Sequence, residues 1–194
     1  ASAATLVVAN KSDATVSLVD LTTREVRATV AVGVGPHEVA VSPDGRLALV
    51  GIYGTREAPG SSMALIEIPS ARLVRTISLG EYRRPHGIVW LADNRRAVVT
   101  AEANKALLVV DGGAPRAVAA GETHQGVRVV SVAGDQAVVE IAGRRQTVRM
   151  GDSPASVGGG GSPNGTRIVL AADGGGHFMG SATINGRAVQ FMVD

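Results

Sequence analysis

The stretch "GPHEVAVSPDGRLALV", Gly35–Val50, recurs as "RPHGIVWLADNRRAVV", Arg84–Val99. Each copy alternates apolar and other residues, breaks at Pro-Asp-Gly or Ala-Asp-Asn, and resumes its apolar run. Period-two alternation bounded by turn formers predicts a strand, a tight turn and a second strand. Matches continue on both sides. "DLTTREVRATVAVG" (Asp20–Gly33) aligns with "EIPSARLVRTISLG" (Glu67–Gly80), setting Thr29 over Thr76, Val30 over Ile77, Val32 over Leu79 and Gly33 over Gly80. "VVANKSDATVSLVD" (Val7–Asp20) returns as "VVTAEANKALLVVD" (Val98–Asp111). Each unit therefore predicts four short strands in succession.

Four antiparallel strands per repeat is the unit of a propeller blade. The "V-A-N" strand, "V-S-L-V-D-L-T-T", "V-R-A-T-V-A-V-G" and "G-P-H-E-V-A-V-S-P-D-G-R" resemble the YVTN family of β-propeller repeats, over about Thr5 to Asp111. The resemblance implies an all-β fold, with residues 1–103 as a partial propeller of about two blades. A ring closes with four to eight blades, so strand edges are expected to pair with a protein partner or a second copy.

Composition agrees with such a fold. The chain has 194 residues, of which 45% are hydrophobic but only 3% aromatic, so its core is built from Val, Ile, Leu and Ala, residues that suit strands. Net charge is +2 without a basic run interleaved with aromatics, which excludes a nucleic-acid interface on this pattern. Cysteine is absent, which removes disulfides, thiolate metal sites and a thiol nucleophile. No apolar stretch approaches the roughly 20 residues of a membrane span.

Beyond Ala103 the pattern shortens. "KALLVVDGGAPRAVAAGE" (Lys105–Glu122) aligns with "QAVVEIAGRRQTVRMGDS" (Gln136–Ser153), and "GVRVVSVAGD" (Gly126–Asp135) between them is a further strand. Residues 104–152 are expected to form a β-hairpin module. "NKALLVVD" satisfies the patterns on both sides of it, as a junction of two unrelated genes would. Residues 153–166 are rich in Gly, Ser and Pro and predict a flexible linker. In residues 167–194, Asn185-Gly186 between two alternating stretches predicts a tight hairpin, because both residue types tolerate positive φ.

The last stretch carries a second resemblance. "GHF" (Gly176–Phe178), "INGRAVQFMV" (Ile184–Val193) and the final Asp194 resemble the opening of bacterial retropepsin-like (clan AA) aspartic protease domains, in which Asp-Thr-Gly follows the hairpin. The resemblance covers about residues 104–194. It implies an aspartic endopeptidase of the periplasm or cell envelope that acts on a polypeptide substrate, with Asp194 as the catalytic aspartate. The chemistry needs two close carboxylates sharing one proton, so that one activates water while the other supplies acid. In this family each subunit of a dimer gives one aspartate, positioned by the Thr-Gly after it. The chain stops at Asp194 and is expected to be inactive as it stands; the alternative is that Asp194 is an exposed terminal acid.

Other candidates are weaker. His37 and His86 follow Pro36 and Pro85 at equivalent repeat positions, where two imidazoles could face a common axis as metal ligands. Corner histidines bonded to a neighbouring turn are commoner, and His124 and His177 lack an acid or cysteine at ligand spacing, so no metal and no cofactor is expected. The glycine runs lack the Gly-Lys-Ser or Gly-Lys-Thr of a phosphate loop, and Ser42, Ser61 and Ser162 lack a nucleophile elbow. Two function classes remain: a fragment or chimera related to aspartic endopeptidases, or a non-catalytic propeller that binds or scaffolds a partner in the cell envelope.

If residues 153–166 are a tether, limited trypsin digestion should cut first at Arg167, because Gly and Ser segments adapt to a protease cleft and paired strands do not. Mass spectrometry finding Arg144 or Arg145 cut first would overturn the boundary.

Overall fold

The computed structural model describes residues 4–111, 114–133 and 136–149, and beyond them the strands Phe178–Ile184 and Arg187–Val193. The chain divides into two units, Ala1–Ala155 and Ser156–Asp194. The fold is all-β, as the sequence predicts.

In the first unit every sheet is an antiparallel meander of successive strands. β1 (Thr5–Asn10), β2 (Thr15–Asp20) and β3 (Val26–Ala31) form a three-stranded sheet. β4 (Pro36–Val41), β5 (Leu47–Gly54), β6 (Pro59–Glu67) and β7 (Arg72–Ser78) form the second. β8 (Pro85–Trp90), β9 (Ala97–Ala101), β10 (Ala106–Val110) and β11 (Arg116–Ala117) form the third. β12 (Thr123–His124), β13 (Val127–Ala133), β14 (Gln136–Ile141) and β15 (Arg144–Arg149) form the fourth. The expected boundary at residue 103 falls between β9 and β10, which are hydrogen-bonded neighbours, and residues 104–152 supply the rest of the third sheet and all of the fourth.

The sheets stack face to face, and a period of two divides each strand between its neighbours. Ala48, Val50 and Ile52 of β5 pack with Val16, Leu18 and Val30 of the first sheet, while Leu49 turns the other way, towards Ile88, Val99 and Leu108 of the third. Val98 of β9 and Leu107 and Val109 of β10 face the fourth sheet, against Val127, Val129 and Val139. A strand buried on both faces must be apolar at every position. That is why "ALLVV" and "AVVTA" carry no alternation, and Val98, Val99 and Leu108 are fully buried.

Repeated turns hold the registers. Gly45 and Asn94 occupy the same place in their turns, with φ of 73° and 57°, and glycine and asparagine are the residues that tolerate that region best. One residue earlier, Asp44 accepts the backbone N–H of Arg46 at 3.1 Å, and Asp93 accepts those of Arg95 and Arg96 at 2.9 and 3.0 Å. The Asp44 N–H donates to the Asn94 side chain at 2.9 Å and ties the two turns together.

In the second unit β16 (Phe178–Ile184) and β17 (Arg187–Val193) pair in antiparallel register from Phe178↔Val193 to Ile184↔Arg187. The two residues that join them, like Asp194 and residues 153–166, lie outside the described residues.

The turn aspartates make stability acid-sensitive. The Ser42 hydroxyl and the Arg46 N–H lower the pKa of Asp44. For Asp93 burial pushes upward, but the Arg95 N–H and the Arg96 side chain outweigh it and the net shift is down. A lowered folded pKa gives stability that is fully present above the unfolded value near 3.9 and is lost as pH falls through the folded one. Urea denaturation between pH 5 and pH 2 should show falling stability, and Asp44→Asn with Asp93→Asn should flatten that slope; an unchanged slope would contradict the assignment.

Candidate functional site

The pairing of β4 with β5 skips a residue: Pro36 faces Ile52 and Val39 faces Val50, so His37 and Glu38 together oppose one residue. The third sheet repeats this, with Pro85 facing Ala101 and Ile88 facing Val99 around His86 and Gly87. Two residues against one is a β-bulge, which bends the strand and re-aims a side chain. Both histidines thus leave the regular alternation at the same end of their sheets. Their rings stand edge to face, with centroids 4.7 Å apart.

The end of β5 adds Tyr53, whose ring lies edge-on to His37 at 5.0 Å and to His86 at 5.7 Å. Arg84, just ahead of β8, places its guanidinium 5.0 Å from the Tyr53 ring centre and donates to the phenol oxygen at 3.1 Å. The Tyr53 hydroxyl in turn donates to Glu102, in a 3₁₀ turn at Glu102–Asn104 after β9. Lys11, in the β1–β2 turn, brings its ammonium to 5.5 Å from the same ring. Glu38 stands 3.6 Å from His86 Nδ1. Three successive sheets therefore converge on one tyrosine.

Arg84 occupies the repeat position of Gly35, and both have left-handed backbone, with φ of 57° and 66°. The conformation costs a side-chain-bearing residue about 1–2 kcal/mol. At Gly35 a Cβ would meet the Gly54 carbonyl oxygen at 2.3 Å, so glycine is required there. At Arg84 the strain is tolerated, and the gain is a guanidinium over Tyr53.

Burial, then the bond to Glu102, raises the Tyr53 pKa, against a smaller pull from Arg84. The phenol therefore remains a donor across the physiological range. Bonding to Tyr53 raises Arg84 in turn, so its charge is permanent. The cluster offers two cations over an aromatic ring, two stacked imidazoles and flanking carboxylates, which suits recognition of a polar surface.

Of the sequence-level candidates, the fold brings together His37 and His86. No group of three or more His, Cys, Asp or Glu able to hold a metal occurs among the described residues. His124 lies in β12, remote in sequence from the pair. Ser42 is buried; its hydroxyl bonds the Asp44 carboxylate at 2.6 Å and accepts the Leu47 N–H at 2.9 Å, so it braces a turn. Ser61 is part of β6. Asp194, His177 and Ser162 lie outside the described residues. Tyr53, Arg84, Glu102 and Lys11 were not anticipated. The signal for Arg84 was an arginine in one repeat where the other has glycine.

No family model matches the chain. Nor does any curated protein. Solved structures do resemble it in fold. Dihydro-heme d1 dehydrogenase NirN in complex with DHE gives a TM-score of 0.51 at 20% identity over 70% of this chain and 29% of that one. Hydrazine synthase of Kuenenia stuttgartiensis gives 0.51 at 20% identity over 93% and 53%. The complex of KlAtg21 with the coiled coil of AgAtg16 gives 0.50 at 15% over 71% and 49%. These likenesses, to propeller folds, identify the stacked sheets as propeller-like, and the chain spans about half or less of each neighbour. The resemblance to retropepsin-like proteases finds no support among them.

Replacing Tyr53 with Phe removes the donor to Glu102 and the acceptor for Arg84. Because hydrogen bonds to charged partners are involved and the site is half-buried, the loss should be about 1–2 kcal/mol. Urea unfolding followed by the fluorescence of the single tryptophan, Trp90, would measure it; unchanged stability would show that the network does not join the sheets.

Proposed function

We propose that the chain is a propeller segment that presents a binding surface to a protein partner, without catalysis of its own. The observation that carries this reading is the Tyr53 cluster, assembled from three sheets at the bulged ends of β4 and β8. Such a surface is rigid, because its members are fixed by one another and by the sheets beneath. A propeller-like neighbour solved in complex with a coiled coil supports the reading by analogy of fold alone. The cell envelope is the proposed location, in keeping with the YVTN and retropepsin-like resemblances.

The aspartic endopeptidase reading rests on the stretch from Gly176 to Asp194 alone. Both readings meet in one experiment, in which the full chain and a Lys11→Ala/Arg84→Gly variant serve as baits for envelope extract. Glycine is chosen because the other repeat has it at that place, so the turn should survive. A single protein, identified by mass spectrometry, should bind the unmodified chain directly and lose at least tenfold in affinity for the variant. If no protein distinguishes the two, the binding reading fails. Cleavage of a denatured protein at acidic pH, abolished by Asp194→Asn, would replace it with the protease reading.

A further inference from the structure

The first sheet has three strands where the next two have four, and the repeats show which is missing. β1 aligns with β5 and β9, β2 with β6 and β10, and β3 with β7. β4 and β8, the first strands of their sheets, have no counterpart beside β1, whose hydrogen-bonded neighbour is β2.

Burial shows the consequence on a face that is otherwise covered. Val7 and Ala9 lie opposite Leu18 and Val16, so all four point at the second sheet. Leu18 and Val16 are 0% exposed, yet Val7 and Ala9 are only half-buried. Their repeat equivalents Leu49 and Gly51 in β5, and Val98 and Thr100 in β9, are all buried. The outermost strand is no such exception, since Val30 of β3 and Ile77 of β7 are buried alike, at 8% and 7% exposed. The deficit is therefore specific to the β1 edge.

We infer that the β1 edge is a strand-binding site, and that its ligand is an extended peptide with the pattern of β4 and β8: Pro-His-x-(Val/Ile)-(Ala/Val)-apolar, running antiparallel to β1. The register follows from the two existing pairs. Val39 faces Val50 and Ile88 faces Val99, so the fourth ligand residue should face Val8. The fifth should face Val7, as Ala40 and Val89 face Leu49 and Val98. The ligand proline should face Asn10, as Pro36 and Pro85 face Ile52 and Ala101. Backbone hydrogen bonds would give affinity and the alternate side chains selectivity, which is the logic of strand addition. A second copy of this chain is not the expected donor. Its two segments of that pattern are already paired in their own sheets, so the donor is a polypeptide outside residues 4–149.

The test is hydrogen exchange of the full chain with a synthetic peptide, GPHEVAVS. Saturating peptide should slow the backbone amides of Thr5–Asn10 at least tenfold and leave Val26–Ala31 unchanged. A peptide with proline at its fifth and sixth residues, which cannot sustain the ladder, should give no protection. No protection at millimolar peptide, equal protection by the proline peptide, or protection of β1 without peptide in a concentration-dependent dimer would each overturn the inference. The readout is independent of Lys11 and Arg84, so its failure leaves the binding reading of the Tyr53 cluster standing.

Discussion

Stacking of sheets on both faces is the constraint on which the first unit depends. The second and third sheets each lie between two neighbours, so an inner strand has no side chain that can be spared for solvent. Ala48, Ala64, Ala97 and Ala101 keep the sheets close, and branched aliphatics fill the space that remains. This packing explains a core with so few aromatic side chains. Adjacent sheets spaced about 10 Å apart interlock best with short, stiff residues. The same constraint removes a safeguard. In an ordinary half-exposed strand a slip by one residue would carry the apolar set into water, but in β9 or β10 both faces are apolar and a slip exposes little.

Register must therefore be fixed elsewhere, and the irregularities supply it. The bulge at Pro36/Val39 recurs at Pro85/Ile88, and a shift at Leu18/Val19 recurs at Leu65/Ile66. Each is an out-of-step point that only one pairing satisfies. The turn aspartates add directional bonds at the far end of the same hairpins. The bulge that fixes register also turns His37 and His86 towards Tyr53, so the device that secures the fold builds the candidate site as a by-product.

How much of this was legible follows from the range of each interaction. The repeats were visible because Thr29 and Thr76, Val32 and Leu79, and Pro36 and Pro85 recur in order, and the paired histidines came with them. The fourth sheet was harder to see as part of the stack. Its strands repeat on a shorter pattern, and their place is decided by Val127, Val129 and Val139 meeting Val98 and Val109. Tyr53 was invisible because its partners are far off in the chain. Glu102 is 49 residues away and Arg84 31, and no local spacing rule connects them. The aspartate that ends the chain was legible only as a resemblance, and a resemblance is silent about where a second carboxylate would stand.

A gradient of burial runs through the stack and gives its parts unequal stability. β9 is buried at all five positions, whereas β1 has none fully buried. Local opening is governed by such differences, since strands with few buried apolar contacts and exposed backbone bonds open at lower free energy than the global transition. The first sheet is held to the second chiefly by Val16, Leu18 and Val30 and by the Arg27 guanidinium, which reaches the Ile68 and Pro69 carbonyls at 2.6 and 2.9 Å. Those contacts fix β2 and β3 and leave β1 secured by one ladder. A strand added at its free edge would supply a second ladder and bury Val7 and Ala9 together, so the part of the unit with the least intrinsic stability is also the part with the most to gain from a ligand.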